Sequence, residues 1–317
     1  MNYQNFIEFK EQFLNNNSNI INLSENNLYK YFNFSNSFDN NIKGHVNGNV
    51  HRCHLVEDWL KYNDLEQGLK PLIGVSEGVR HSLDIISNYY LNKIWSIPED
   101  VYPYYQNLME NKNINFNEYK TLNDILNIKD IKADILLITY PLKPSGRNIS
   151  IDELNNIKDW LIQDKERRLI IDSVYLTNIH DLKFIINYFG NEQVYYLFSL
   201  SKILCLPKVF GLALIAEKDI NLKEDFKKLS ISKINLNLAY QALNNKSYRD
   251  RELYILDKHF SNYLKIKEII KLPQFNGGYL FFIKDDFNLL LERGILSIPP
   301  SVFGSKINKG SIISTLI

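Results

Sequence analysis

A chain of 317 residues, 45% hydrophobic and 23% charged, has the composition of a folded globular protein with room for one large or two closely joined domains. Its 37 Lys and Arg against 36 Asp and Glu leave a formal charge of +1 with the basic residues scattered, and no apolar run nears membrane-spanning length, so neither nucleic acid nor a membrane is expected as a partner. Two cysteines, Cys53 and Cys205, cannot build a disulfide framework, and the opening MNYQNFIEFK lacks the basic segment and apolar run of a secretory signal, so a reducing cytoplasm is the expected compartment.

Residues 1–54 read as an Asn-rich, irregular arm with part of a small domain. NNNSN at 15–19 and NSFDNN at 36–41 favour turns over packing. Phe6, Phe9, Phe13, Leu23, Leu28, Tyr29 and Tyr31 recur often enough for the arm to lie on something. From about Leu55 amphipathic stretches alternate with short apolar runs, the pattern of strand–helix–strand crossovers and hence of an α/β fold with a mostly parallel sheet. Helices are predicted over Glu77–Leu91, Pro103–Lys112, Ile151–Gln163 and Asn178–Phe189, the third opened by Ser150 with Glu153 three residues on. Strands are predicted over Lys93–Ile97, Asp134–Tyr140, Leu169–Val174, Val194–Ser199 and Leu212–Ala216. This large domain spans 55–230. A smaller domain, 231–317, holds a long amphipathic helix to about Ile270, then GGYLFFIK, a short helix and LLERGILSIPP.

Three strand ends carry chemically capable residues. Asp172 closes the run LIID and is followed by Tyr175; SLSK ends on Lys202; YPLKPSG spans 140–146. In a parallel sheet these emerge at the carboxyl ends of strands, where open α/β folds place ligands. Taken singly, a lysine after a strand is a solvated charge, and Asp172 and Tyr175 are strand-end caps. Gly74-Val75-Ser76 reads as a neutral turn at a helix start, presenting backbone N–H groups and a positive dipole to an anion, to which Ser199 and Ser201 can add hydroxyls.

With Gly74-Val75-Ser76-Glu77-Gly78 and the aromatic turn DVYPYY at 100–105, this order resembles the fold-type I pyridoxal-phosphate aminotransferase family (aminotransferase class I/II) over about the whole chain. INLSENNLY at 21–29 and LLERGILSIPPSVFG are similar to the histidinol-phosphate aminotransferase and threonine-phosphate decarboxylase branch. The resemblance implies a pyridoxal-phosphate cofactor, with Lys202 holding it as a Schiff base and later moving the Cα proton. It implies Asp172 on the pyridine nitrogen, Tyr175 on the phenolic oxygen, and Tyr102 stacked on the ring with core packing as its alternative. Gly74, Val75, Ser76, Ser199 and Ser201 are implied around the phosphate. His45 sits where that branch has a Tyr reaching the partner subunit's cofactor, which implies a homodimer with the active site at the interface.

The chain departs from the family at three places. The two Asn positions of the family's Asn-Pro-x-Asn-Pro loop are Tyr140 and Lys143, and an ammonium at 143 would favour the phenolate or turn away to clamp a carboxylate. The family's phosphate-binding Arg falls at Phe210, with Lys208 as a substitute point charge. Where the family has Gly-x-x-Arg-Leu-Ser, this chain has Gly310-Ser311-Ile312-Ile313-Ser314-Thr315, unless the tail is out of register. Loss of that Arg fork implies a substrate with no free α-carboxylate, or one gripped by Lys143, Arg147 or Arg80.

The expected activity is transamination of a primary amine, either a small molecule or a group tethered to a carrier. Decarboxylation, elimination, an oxidative variant and a non-catalytic relative are the alternatives. His45, His51, Cys53 and His54 carry zinc-type donors, but no second pair at ligand spacing follows, so no metal is expected. Cys205 lies in an apolar stretch and reads as a core thiol.

Overall fold

The computed structural model describes residues 1–26, 28, 52–101, 103–121, 128, 131–176, 179–203, 210–244, 246–275, 278–307 and 309–317. Its elements are α1 (Tyr3–Asn16), β1 (Ile21–Asn22), α2 (Arg52–Tyr62), β2 (Ile73–Ser76), α3 (Val79–Tyr89), β3 (Trp95–Pro98), α4 (Tyr104–Asn111), β4 (Phe116–Tyr119), β5 (Ile135–Thr139), α5 (Ile151–Ile162), β6 (Arg168–Asp172), α6 (Ile179–Phe189), β7 (Val194–Ser199), α7 (Leu200–Ile203) and β8 (Gly211–Leu214). Then follow α8 (Lys223–Lys228), α9 (Lys233–Asn244), α10 (Lys246–Lys267), β9 (Leu280–Ile283), α11 (Phe287–Glu292), β10 (Ile295–Leu296) and β11 (Ser311–Ser314).

The central sheet has seven strands in the order β2-β8-β7-β6-β5-β3-β4, with β8 antiparallel to both its neighbours and every other pairing parallel. Helices cover both faces, which is why the strands read as continuous apolar runs. The period of two still sorts them. Leu136, Ile138, Leu169, Ile171, Tyr196 and Phe198 enter one core, while Ile135, Leu137, Ile170, Tyr195 and Leu197 enter the other. The parallel strands therefore deliver Thr139, Asp172 and Ser199 to one edge, where antiparallel β8 begins beside Ser199. At the opposite edge Arg168 and Asp219 form a buried fork at 2.6 and 3.1 Å, capped by the hydroxyls of Tyr90 and Tyr195.

Both chain ends meet. β1 lies parallel to β10, β9 pairs antiparallel with β11, and Phe6 of α1 packs with Ile298, Val302 and Ile312. The arm is anchored by its apolar residues, since Phe6, Leu23 and Leu28 are buried. Among the described residues no helix is long and apolar enough to cross a membrane.

Ser150 opens α5 with a reciprocal capping box to Glu153, as its spacing predicts. Elsewhere the structure differs from the sequence expectation. Gly74-Val75-Ser76 is strand, not turn: it pairs with β8, and the absent Cβ of Gly74 leaves room for the Phe226 ring, which a methyl would meet at 2.5 Å. The strand-to-helix turn comes later, at Glu77-Gly78, with Gly78 at φ 97°. The single helix expected from 231 to 270 is two, and α9 packs on α2 and into the main core through Ala239, Ala242 and Leu243.

Candidate active site

Asp172 is the best-defined group at this edge. It is 3% exposed; its Oδ2 accepts from the Tyr105 hydroxyl at 2.5 Å, its Oδ1 from the amide of Val174 at 3.0 Å, and the Lys143 ammonium stands 3.8 Å from Oδ1. Burial, and then the charge of Asp172, push the Tyr105 phenol well above its ordinary range, so it remains a donor.

Tyr175 follows the β6 end and collects two amines. Lys143 Nζ lies 4.2 Å from its ring centroid and Lys202 Nζ 5.7 Å, both within cation–π range. Tyr279, just before β9, packs against the Tyr175 ring at 5.6 Å and stacks on the buried His259 at 5.4 Å. The loop bearing Lys143 holds cis bonds at Tyr140–Pro141 and Lys143–Pro144 and is fastened at several points. The amide of Lys143 donates to Thr139 Oγ1 at 2.9 Å, and its carbonyl accepts from Thr121 Oγ1 at 2.6 Å. Thr121 is in turn held by the carboxylate of Asp100. At its far end Gly146, φ 71°, passes the carbonyl of Leu280 so closely that a Cβ would fall 2.0 Å away, and Phe282 donates to Ser145.

Two serine hydroxyls and a helix end lie across the same edge. Ser199 and Ser201 share a 2.6 Å hydrogen bond, and Ser199 is paired with Gly211. The Cβ missing from Gly211 would stand 2.6 Å from the backbone of Gly78, so the start of β8 touches the N-terminal end of α3, the positive end of its dipole. Ser76 lies inward of that end, fully buried, with its hydroxyl on Gly78 O and Ser82 Oγ.

Asp172, Tyr175, Lys143 and Lys202 thus converge, with Ser199 and Ser201 at the same end of the sheet; Ser76 ends β2 beside Gly211, whereas Val75 packs into the main core and Gly74 against Phe226. Arg147 does not join them: both its terminal nitrogens fork onto buried Glu153, at 2.8 and 2.7 Å. Arg80 lies over the Tyr104 ring. Ile313 pairs with Phe281 and is fully buried among Leu23, Tyr263, Ile266 and Phe281. Cys53 and His54 sit on α2, with His54 3.3 Å from Glu57. Tyr102, Lys208, Cys205, His45 and His51 lie outside the described residues. Sequence reasoning missed Tyr105, although it stands three residues after Tyr102 in the same aromatic turn, and Tyr279, noted only as part of GGYLFFIK.

This architecture is that of the fold-type I pyridoxal-phosphate enzymes. No family model and no curated protein sequence matches the chain. Solved structures do. An aspartate aminotransferase from Thermotoga maritima is 16% identical over 100% of this chain and 93% of its own, with a TM-score of 0.71. The histidinol-phosphate aminotransferase from Clostridium acetobutylicum is 17% identical over 93% and 94%, with a TM-score of 0.67. L-threonine-O-3-phosphate decarboxylase from Porphyromonas gingivalis is 14% identical over 93% and 94%, with a TM-score of 0.63. These are the families the sequence resembles, and at such identities the likeness establishes the fold.

Proposed function

We propose that the chain is a pyridoxal-phosphate enzyme that transaminates a primary amine lacking a free α-carboxylate. The observation that carries this reading is the convergence of Lys143 and Lys202 on the Tyr175 ring beside buried Asp172. The donor set fits the cofactor: a buried carboxylate for a ring nitrogen, a phenol and an amine for a phenolic oxygen, a second amine for the aldehyde, and two serines with a helix N-terminus for the phosphate. When bound, the cofactor supplies a carbonyl for the substrate amine and a conjugated ring that stores the electron pair released at Cα.

The chain's own residues do the rest. Asp172, oriented by Tyr105 and the Val174 amide, would accept a hydrogen bond from the protonated ring nitrogen and keep it protonated, in a dry setting where its charge acts strongly. Lys202 Nζ, freed by the substrate amine, would take the proton from Cα and deliver it to the carbon that had been the cofactor's aldehyde. Tyr175 and Lys143 hold the phenolic oxygen. Ser199, Ser201 and the N-terminal end of α3 bind phosphate, with Lys208 and Tyr102 assigned to phosphate and ring by the resemblance. A homodimer is the working unit, by the resemblance at His45.

The substrate reading rests on two positions. Ile313, which the resemblance aligns with the family's carboxylate fork, is packed in the core, and Arg147 is already committed to Glu153. The fitting substrates are an amino alcohol, a modified amino acid or an aminoacyl group on a carrier. Decarboxylation or elimination is the second reading, because without an arginine fork another Cα bond can stand perpendicular to the ring.

The test is the visible absorbance of the protein with added pyridoxal phosphate, wild type beside Lys202→Ala, followed by a panel of amines. A yellow band confined to wild type and bleached by particular amines supports the proposal. Absence of the band from both proteins removes it and leaves a non-catalytic relative.

A further inference from the structure

Lys143 is placed as a reactive group rather than as surface charge. Its side chain is 21% exposed, its amine is nearer the Tyr175 ring than that of Lys202, and its main chain is hydrogen-bonded on both sides, to Thr139 and to Thr121. A primary amine so held does what an amide at the same position cannot: it adds to a carbonyl. The phenolic oxygen and the aldehyde of pyridoxal phosphate are on adjacent ring carbons, so an amine beside the first is in reach of the second.

We propose that Lys143 is a second carbonyl-capturing amine of this site, able to hold the aldehyde form of the cofactor when Lys202 is absent or displaced; this rests on the proposed pyridoxal-phosphate function. The resting ammonium, held by Asp172 at 3.8 Å, first loses a proton to water. The neutral nitrogen then adds to the aldehyde carbon, its two protons leave with the carbonyl oxygen as water, and a carbon–nitrogen double bond remains. Its consequence is retention: where Lys202 is absent, the site still has an amine with which to keep the aldehyde.

The test is sodium borohydride reduction of the full chain loaded with pyridoxal phosphate, followed by digestion and mass-spectrometric mapping. Borohydride delivers hydride to the imine carbon and water supplies the proton to nitrogen, leaving a stable secondary amine. Wild type should carry the adduct on Lys202. Lys202→Ala should carry it on Lys143, at least about 10-fold above any surface lysine, because a positioned amine has an effective concentration that surface amines lack. Lys202→Ala with Lys143→Met should fall to the surface background, and pyridoxamine phosphate, which has no aldehyde, should label nothing. Circular dichroism verifies folding, and Lys202→Gln is the second variant should the alanine protein not fold. Labelling of Lys202 in wild type without enrichment of Lys143 in either variant overturns this inference and leaves the proposed function standing. No labelling of either lysine in wild type overturns both.

Discussion

Replacing Ile313 by arginine puts back the residue type whose absence shaped the substrate reading. The structure makes it a severe perturbation. Ile313 is fully buried, faces Phe281 across β9 and β11, and packs with Leu23, Tyr263 and Ile266. Removing that side chain forfeits about 1.5–3 kcal/mol of burial. An unpartnered guanidinium there adds an effective cost of several kcal/mol. Together these consume much of the about 5–15 kcal/mol that holds a domain folded. Ile313→Arg should therefore lower the urea midpoint sharply or fail to fold, whereas Ile313→Val should cost only about 0.5–1.5 kcal/mol. Urea titration followed by circular dichroism reads both. An arginine variant within about 1 kcal/mol of wild type, small against the changes that core disruption brings, would refute the argument. So would one that gains transamination of free α-amino acids, because the position would then open on the site and not on the core.

Tyr105→Phe removes a donor from a buried carboxylate and should cost about 1.5–3 kcal/mol by urea titration. A loss below about 0.5 kcal/mol, the scale of an ordinary surface change, would show that the Tyr105–Asp172 bond does not form in solution. Asp219→Ala strands Arg168 without its counter-ion and should cost about 3–5 kcal/mol. Burial alone would raise the Asp219 carboxyl, but Arg168, Tyr90 and Tyr195 together hold it below its ordinary value. Its stabilisation is therefore present at neutral pH and lost in acid, as pH falls through the folded value. Burial pushes His259 down from 6.5 to about 4. An unfolded chain takes up that proton first, so stability falls as pH drops from about 6.5 to 4, by up to about 1.4 kcal/mol per pH unit. The pH dependence of the urea midpoint should flatten over that window in His259→Gln, and an unchanged profile would contradict the assignment.

The sheet was legible because its strands obey a rule that sequence carries: apolar runs between polar turns. Val194–Ser199 has the predicted bounds, and Ser150 caps its helix on Glu153. β2 was not legible, since glycine and serine are local turn signals while the pairing of Gly74 with Ala213 is imposed from far along the chain. At the site, residue types were readable and partners were not. Arg147 reads as an available charge until Glu153 is seen to take both its nitrogens, and Lys143 reads equally as a phenolate partner or a clamp until it is found between Asp172 and Tyr175. Tyr105 needed the turn of α4 to bring its hydroxyl back to a strand end 67 residues away.

The close passage of Gly146 against Leu280 has a mechanical meaning. Only about one residue separates Lys143 from the Ser145–Phe282 hydrogen bond, so the loop that carries the amine is clamped to β9, an element of the unit built from both chain ends. A displacement of that unit drags position 143 with it, while Lys202, on α7 in the central layer, stays behind. The spacing between the two amines would thus gauge any displacement of the end-built unit. A methyl group at 146 would jam that gauge by driving β9 away, without touching a single reactive atom.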